Sequence, residues 1–269
     1  MYSALARYYD EIFPLLPAGI DFIAERLSPD PFHGEQVPCC SGPGAFPALS
    51  DYRRDPVNIL DAGCATGSIS LALAGKGFHV DGIDSDAEMI KASEQRAEDR
   101  DLTCLTHFVK DDILNIRSVF GDKKYKSVIC MGNTLPHITD PSDRAGFFRQ
   151  IRKLLAKDGL CILQLLNYDK ILDKKPEQLP VIETDSIIFS RIYSYAGKNH
   201  VIRFSTSLII KESGERIENA VSLMPVKSAD LMRSLKKYGF GKTGFFGSFA
   251  EEPFDPETSD MLLCTAARQ

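Results

Sequence analysis

Between residues 57 and 166 the apolar positions switch repeatedly between two rhythms. Short apolar runs at 57–61, 79–84, 104–109, 126–131 and 159–166 read as buried strands. Between them, 67–75, 86–99 and 142–156 repeat at helical spacing. Strand–helix alternation of this kind demands a parallel sheet with right-handed crossovers, and such sheets bind ligands beyond the carboxyl ends of their strands. Upstream, 3–27 reads as helical, with Ile20, Ile23, Ala24 and Leu27 on one face and a break near Pro14-Leu15-Leu16-Pro17.

Two stretches depart from the alternation. From 28 to 56 no period survives, and Pro29, Pro31, Pro38, Pro43, Pro47 and Pro56 mark an irregular excursion. After Leu166 the period becomes two: 188–195 and 201–210 alternate around a turn at Gly197 and Asn199, and Ile217, Val221 and Leu223 mark a third strand after Gly214. The expected architecture is therefore an α/β, doubly wound, seven-stranded mostly parallel sheet carrying an inserted antiparallel β subdomain. Its parts are N-terminal helices with the excursion (1–56), a ligand-binding core (57–166), the insertion (167–227) and a return to the core (228–269). In the last part a helix at 228–238 precedes strands near 240–247 and 260–267.

Composition narrows the function. The 269 residues carry a formal net charge of −5, and no basic run is present, which disfavours a nucleic-acid backbone as partner. No stretch is apolar for long enough to span a bilayer, and the first residues lack the apolar core of a signal peptide. Seven cysteines without a CxxC pair, four of them (Cys64, Cys130, Cys161, Cys264) in strands or turns, read as small buried hydrophobes in a reducing, cytoplasmic protein. Cys39-Cys40 lacks spaced partners for a metal.

The chemistry concentrates at Ile59-Leu60-Asp61-Ala62-Gly63-Cys64-Ala65-Thr66-Gly67-Ser68, a strand breaking into a tight small-residue turn and then a helix. A dinucleotide turn wants glycines at its first, third and sixth places; here these are Gly63, Ala65 and Ser68. A phosphate-cradling Gly-Lys-Ser or Gly-Lys-Thr ending is absent from the turn as well. Asp84 closes the next strand, where an acid in an adenosine site accepts from the ribose hydroxyls. Thr106-His107-Phe108-Val109-Lys110-Asp111-Asp112-Ile113 is a third strand ending in paired acids, and Val128-Ile129-Cys130-Met131-Gly132-Asn133 a fourth ending in small residues.

In this order, over roughly 55–166, these segments resemble the class I S-adenosylmethionine-dependent methyltransferases, with Ala65 in the middle place of their GxGxG-type turn. The resemblance implies S-adenosyl-L-methionine as cofactor, with no resident metal. Asp61, Gly63, Cys64 and Ala65 would hold its methionyl end, with Cys130, Met131 and Gly132 offering backbone carbonyls to the amino group. Asp84, Ser85 and Met89 would lie along the ribose. Asp112 would take the adenine amine, flanked by Asp111 and Ile113; for Asp111 a solvated or capping role is the alternative. Tyr8 and Tyr9 resemble the N-terminal helix that lids many small-molecule methyltransferases, one facing the sulfonium and the other the core.

Two further segments, Met131-Gly132-Asn133-Thr134-Leu135-Pro136-His137 and Leu166-Asn167-Tyr168-Asp169, resemble the glycine N-methyltransferase-like branch. They imply a small-molecule acceptor, most simply an amine nitrogen, faced by Asn133, His137, Tyr9 and Tyr168. For Asn133 a loop-capping amide, for His137 a surface or loop-bracing ring, and for Tyr168 plain packing remain open. One departure bears on the acceptor: Leu166 stands where the glycine-methylating enzymes carry a carboxylate-binding arginine, so Arg191 or Arg203 would have to substitute. The alternatives are an NAD(P)-dependent oxidoreductase and a non-catalytic cofactor-binding protein. The meander is open between a lid, a homodimer surface, or both.

Overall fold

The computed structural model describes residues 3–27, 57–195 and 201–269. The excursion at 28–56, Cys39-Cys40 and the turn at Gly197 and Asn199 lie outside the described residues. Seven strands form the main sheet: β1 (Asn58–Ala62), β2 (His79–Asp84), β3 (Thr106–Lys110), β4 (Tyr125–Cys130), β5 (Leu155–Leu166), β10 (Phe240–Phe246) and β11 (Met261–Arg268). Their order is β10-β11-β5-β4-β1-β2-β3. The β1, β2, β3, β4 and β5 pairings are parallel, and β11 pairs antiparallel with both β5 and β10. Strand order reverses between β1 and β4, which opens a crevice at their carboxyl ends.

Alternation along the strands makes both faces apolar. In β1 Ile59 faces one core while Leu60 and Ala62 face the other; in β4 Ile129 faces the first, Val128 and Cys130 the second. Helices α2 (Pro17–Leu27) and α3 (Ser68–Ala74) cover the first face through Ile20, Ile23, Leu73 and Ala74. Helices α5 (Ile116–Phe120), α6 (Pro141–Leu154) and α8 (Ser228–Lys237) cover the second. The last helix of the first half, α4 (Ala87–Asp99), starts from Asp86, whose carboxylate accepts from the backbone N–H groups of Glu88 and Met89. One packing constraint falls on Gly82, in the middle of β2: a Cβ there would meet the Phe108 ring at 2.6 Å and Cys64 Sγ at 2.9 Å.

The N-terminal segment is less regular than one helix. It is a 3-10 turn (Ser3–Tyr8), a four-residue α1 (Tyr9–Ile12), the expected break at the prolines, and then α2. The inserted sheet has four antiparallel strands rather than three, ordered β6 (Gln178–Glu183), β7 (Ile187–Ser194), β8 (Ile202–Ile210) and β9 (Arg216–Leu223). The sequence hid β6 because it is an edge strand with a proline, Pro180, and no buried residue. The short α7 (Tyr168–Lys174) links β5 to this sheet.

Cys64, Cys130, Cys161 and Cys264 are free and buried, as small hydrophobes are. Among the described residues no helix is long and apolar enough to cross a membrane.

Gly82→Ala should lower stability by about 1–3 kcal/mol, the usual cost of overpacking a rigid core. A thermal melt should show it as a clear drop in Tm; an unchanged Tm would mean that Phe108 and Cys64 yield freely.

Candidate active site

Strand β1 delivers Asp61 to the crevice and then breaks. Gly63 (φ 86°) donates its N–H to Ile83 O at 2.8 Å, and Cys64 N–H reaches the same carbonyl at 3.0 Å. A side chain at Gly63 would collide with Thr134, so this left-handed position needs glycine on two counts. Ala65 is also left-handed (φ 48°), a cost for a residue with a Cβ. Its N–H is held by Asp84 Oδ2 at 3.0 Å. Asp84 Oδ1 accepts from Asp86 N–H at 3.0 Å. Asp84 thus braces the turn; burial raises its pKa against the lowering effect of these N–H donors.

Asp61 is the most unusual group. It is 1% exposed, and Oδ2 accepts from Ser70 Oγ at 2.7 Å. Oδ1 is buried with no partner. Burial, with the Asp84 charge adding to it, pushes the Asp61 pKa up to about 7.

A cavity of about 180 Å³ opens beside this turn. Asp61, Gly63, Cys64 and Ala65 form one end, and Met131 and Gly132 continue the wall. Tyr9 and Phe13 contribute from the N-terminal segment. The structure therefore brings together Tyr9, Asp61, Gly63, Cys64, Ala65, Met131 and Gly132 out of the residues singled out from sequence. Asp84, Ser85, Asp111, Asp112 and Ile113 stand at the end of β2 and on the turns after β2 and β3, and Met89 lies in the first turn of α4, all outside the cavity wall. There Asp112 is exposed and Oδ1 accepts from Leu114 N–H at 2.8 Å. Asp111 Oδ1 takes Asp112 N–H and Asn115 Nδ2, which makes it a capping acid and holds its pKa low. Met89 is buried and Ser85 exposed.

Several residues are placed differently from the sequence expectation. Tyr168 is 1% exposed and packs with Ile171, Tyr193, Ile202 and Leu223 under the inserted sheet, so no ligand in the cavity touches it. Asn133 (φ 65°) uses both ends of its amide: Nδ2 donates to Tyr168 Oη at 3.0 Å, and Oδ1 accepts from Leu166 N–H at 3.1 Å. That is the geometry of a loop brace rather than of a free substrate contact. Tyr8 packs on Leu5, Ile12, Ile187, Phe189 and Leu208, with Arg7 over its ring, and only Tyr9 of the pair reaches the cavity. His137 is exposed on the 3-10 turn Leu135–His137 and does not line the cavity. Arg191 is half-buried, with Nη2 donating to Pro180 O at 2.9 Å, and Arg203 is exposed on β8; neither reaches the cavity wall.

Two residues escaped the sequence. Asp10 ties the N-terminal segment onto the turn: Oδ1 accepts from Thr66 Oγ1 at 2.7 Å and from Ser68 Oγ at 2.8 Å, and Arg96 pairs with Oδ2. Its neighbour Glu11 pairs with the hydroxyls of Thr184 and Ser186 before β7, so α1 bridges the turn and the inserted sheet. Gln164 on β5 lines the cavity, and its Oε1 accepts from Gly132 N–H at 2.8 Å. A lone amide inside the apolar run Ile162-Leu163-Gln164-Leu165-Leu166 was the available signal.

Comparison with known proteins agrees with this geometry. Residues 59–159 match the model of a methyltransferase domain. The glycine/sarcosine N-methyltransferase of Aphanothece halophytica is 25% identical over 215 residues, covering 78% of this chain and 76% of that protein. The glycine/sarcosine N-methyltransferase of Halorhodospira halochloris is 34% identical over 121 residues, covering 45% of this chain and 44% of that protein. A crystal structure of an S-adenosylmethionine-dependent methyltransferase from Clostridium acetobutylicum ATCC 824 shares the fold, with a TM-score of 0.75 at 15% identity over 99% of this chain and 98% of that one. The chain is a class I S-adenosylmethionine-dependent methyltransferase. The residues present fit the cofactor: Asp61 Oδ1 is a buried acceptor without a partner, and a methionyl ammonium would supply one.

Asp61 also gives the fold a pH dependence. Its folded pKa of about 7 lies above the unfolded value, so the folded state keeps a proton that the unfolded state gives up. Its contribution to the stability of the ligand-free protein therefore declines as pH rises from about 4 to about 7 and is flat above that. Asp61→Asn should gain on wild type by a few kcal/mol, in order of magnitude, across that window. Urea titrations at pH 5 and pH 8 measure the difference; a pH-independent difference would show that Asp61 titrates normally.

Proposed function

We propose that this enzyme methylates a small-molecule acceptor at an amine nitrogen. The observation that carries this reading is the cavity itself, which runs from the β1 turn to the ends of β4, β5 and β11 under the N-terminal segment. It can align a small acceptor with the cofactor's methyl group and keep water away, and methyl transfer to nitrogen asks for little more. The names of the two N-methylating relatives support nitrogen as the target.

When bound, S-adenosylmethionine would supply an electrophilic methyl carbon on a sulfonium to the lone pair of the acceptor nitrogen. The chain's own residues prepare the site. Asp61 Oδ1 accepts from the methionyl ammonium, with the backbone of Gly63 to Ala65 alongside. Asp84 accepts from the ribose hydroxyls with the lone pairs it does not spend on Ala65 and Asp86. Asp112 has Oδ2 available for the adenine amine. Tyr9 faces the acceptor, and the apolar side chains around it exclude water.

Asp84→Ala should weaken binding of S-adenosylhomocysteine by about tenfold or more, since hydrogen bonds to a charged group contribute about 1.5–3 kcal/mol. Calorimetry measures this, and unchanged affinity would remove Asp84 from the site. Incubation with S-adenosylmethionine and pooled small metabolites should release S-adenosylhomocysteine with amines and not with phenols or catechols; the reverse preference would overturn nitrogen as the target.

A further inference from the structure

The two ends of the cavity differ in chemistry. Both of its carboxylates, Asp10 and Asp61, belong to the turn end. At the other end, where β4 and β5 stop and β11 starts, the wall among the described residues is Met131, Gly132, Gln164, Phe249 and Met261, with no charged side chain. The described residues lining the whole cavity include no lysine, arginine or histidine. Leu166, two positions beyond Gln164, pairs with Met261 across the sheet and packs with the Tyr168 cluster outside the cavity wall. The mouth is apolar too: Phe13, Leu15 and Leu16 line it and remain 39%, 37% and 52% exposed. Three large apolar side chains facing solvent at one opening have the character of a ligand surface. A carboxylate carried to this end would lose its water and meet no cation among the described residues.

Gln164 is the one polar side chain there among the described residues, and its orientation is fixed. Gly132 N–H is a donor, so the atom that it meets at 2.8 Å must be the amide oxygen. Nε2 is therefore the end left to donate, and a donor presented into an apolar wall selects an acceptor atom on the ligand.

We infer that the methyl acceptor is an amine with an apolar body, without a carboxylate, and with a neutral oxygen that accepts a hydrogen bond from Gln164 Nε2. Gln164 is thus a specificity-determining residue, and the inference rests on the proposed amine methylation at this same site. Amino acids such as glycine are excluded by the same wall that welcomes an amino alcohol or amino ether.

The test is binding to the complex of the enzyme with S-adenosylhomocysteine, measured by calorimetry on two matched series: phenylalaninol, phenethylamine and phenylalanine, and leucinol, isoamylamine and leucine. In at least one series the amino alcohol should bind about tenfold tighter than the plain amine, and the amino acid weakest of all. Gln164→Leu should erase the preference for the hydroxyl. Gln164→Glu should erase it too while keeping the bond to Gly132, because its outward atom accepts instead of donating. The Tm and S-adenosylhomocysteine affinity of Gln164→Glu should stay close to wild type, a combination that a purely structural glutamine would not give. Equal or tighter binding of the amino acids, failure of all six amines to bind, or an unchanged hydroxyl preference in both variants would overturn the inference. Failure of S-adenosylhomocysteine itself to bind would instead overturn the functional reading beneath it.

Discussion

The proposed site turns on one oxygen atom, the buried Oδ1 of Asp61, which has no hydrogen-bond partner. A carboxylate held out of water with half of its acceptors unused is destabilising, and the fold tolerates it only because the strand that carries it is locked on both sides. Asp61 sits in register opposite Gly82 of β2 and Ile129 of β4, in the middle of the parallel sheet. Ser70, one turn into α3, satisfies the other oxygen. The result is a preformed acceptor beside the glycine turn, whose charge depends on whether a cation is there to stabilise it.

The turn above Asp61 is itself held by backbone bonds to β2 and by the Asp84 carboxylate, so the ends of β1 and β2 act as one unit. The N-terminal segment adds a second level. Asp10 joins it to Thr66, Ser68 and Arg96, while Glu11 joins it to Thr184 and Ser186 on the inserted sheet. Leu5, Tyr8 and Ile12 complete the attachment by packing on Ile187, Phe189 and Leu208. Through four residues of α1 the inserted sheet and the cofactor turn share one roof over the cavity.

Much of this was legible in the chain. Alternating periods set the parallel core, because strands buried on both faces and helices buried on one leave different signatures. Ala65 and Ser68, standing where a dinucleotide turn needs its second and third glycines, separated the turn from a dinucleotide site. What stayed hidden depended on tertiary placement. Strand β6 lacks a buried residue, so it has no hydrophobic rhythm to read. Tyr168 and Asn133 carry polar groups that suggest chemistry, yet those groups satisfy each other, and only coordinates reveal such pairing. Gln164 had the opposite fate. A single amide in an apolar strand reads as an exception to burial, and its value as a donor follows from Gly132 meeting its oxygen.

The most direct test of the account is the pH dependence of S-adenosylhomocysteine affinity, measured by calorimetry from pH 5.5 to 8.5 on wild type and Asp61→Asn. If Asp61 receives the ligand's ammonium, binding below pH about 7 must first expel the proton held there, and affinity should fall by up to about tenfold per pH unit. That dependence should vanish in Asp61→Asn. Parallel pH profiles for the two proteins would contradict the central claim and leave the buried carboxylate without a partner.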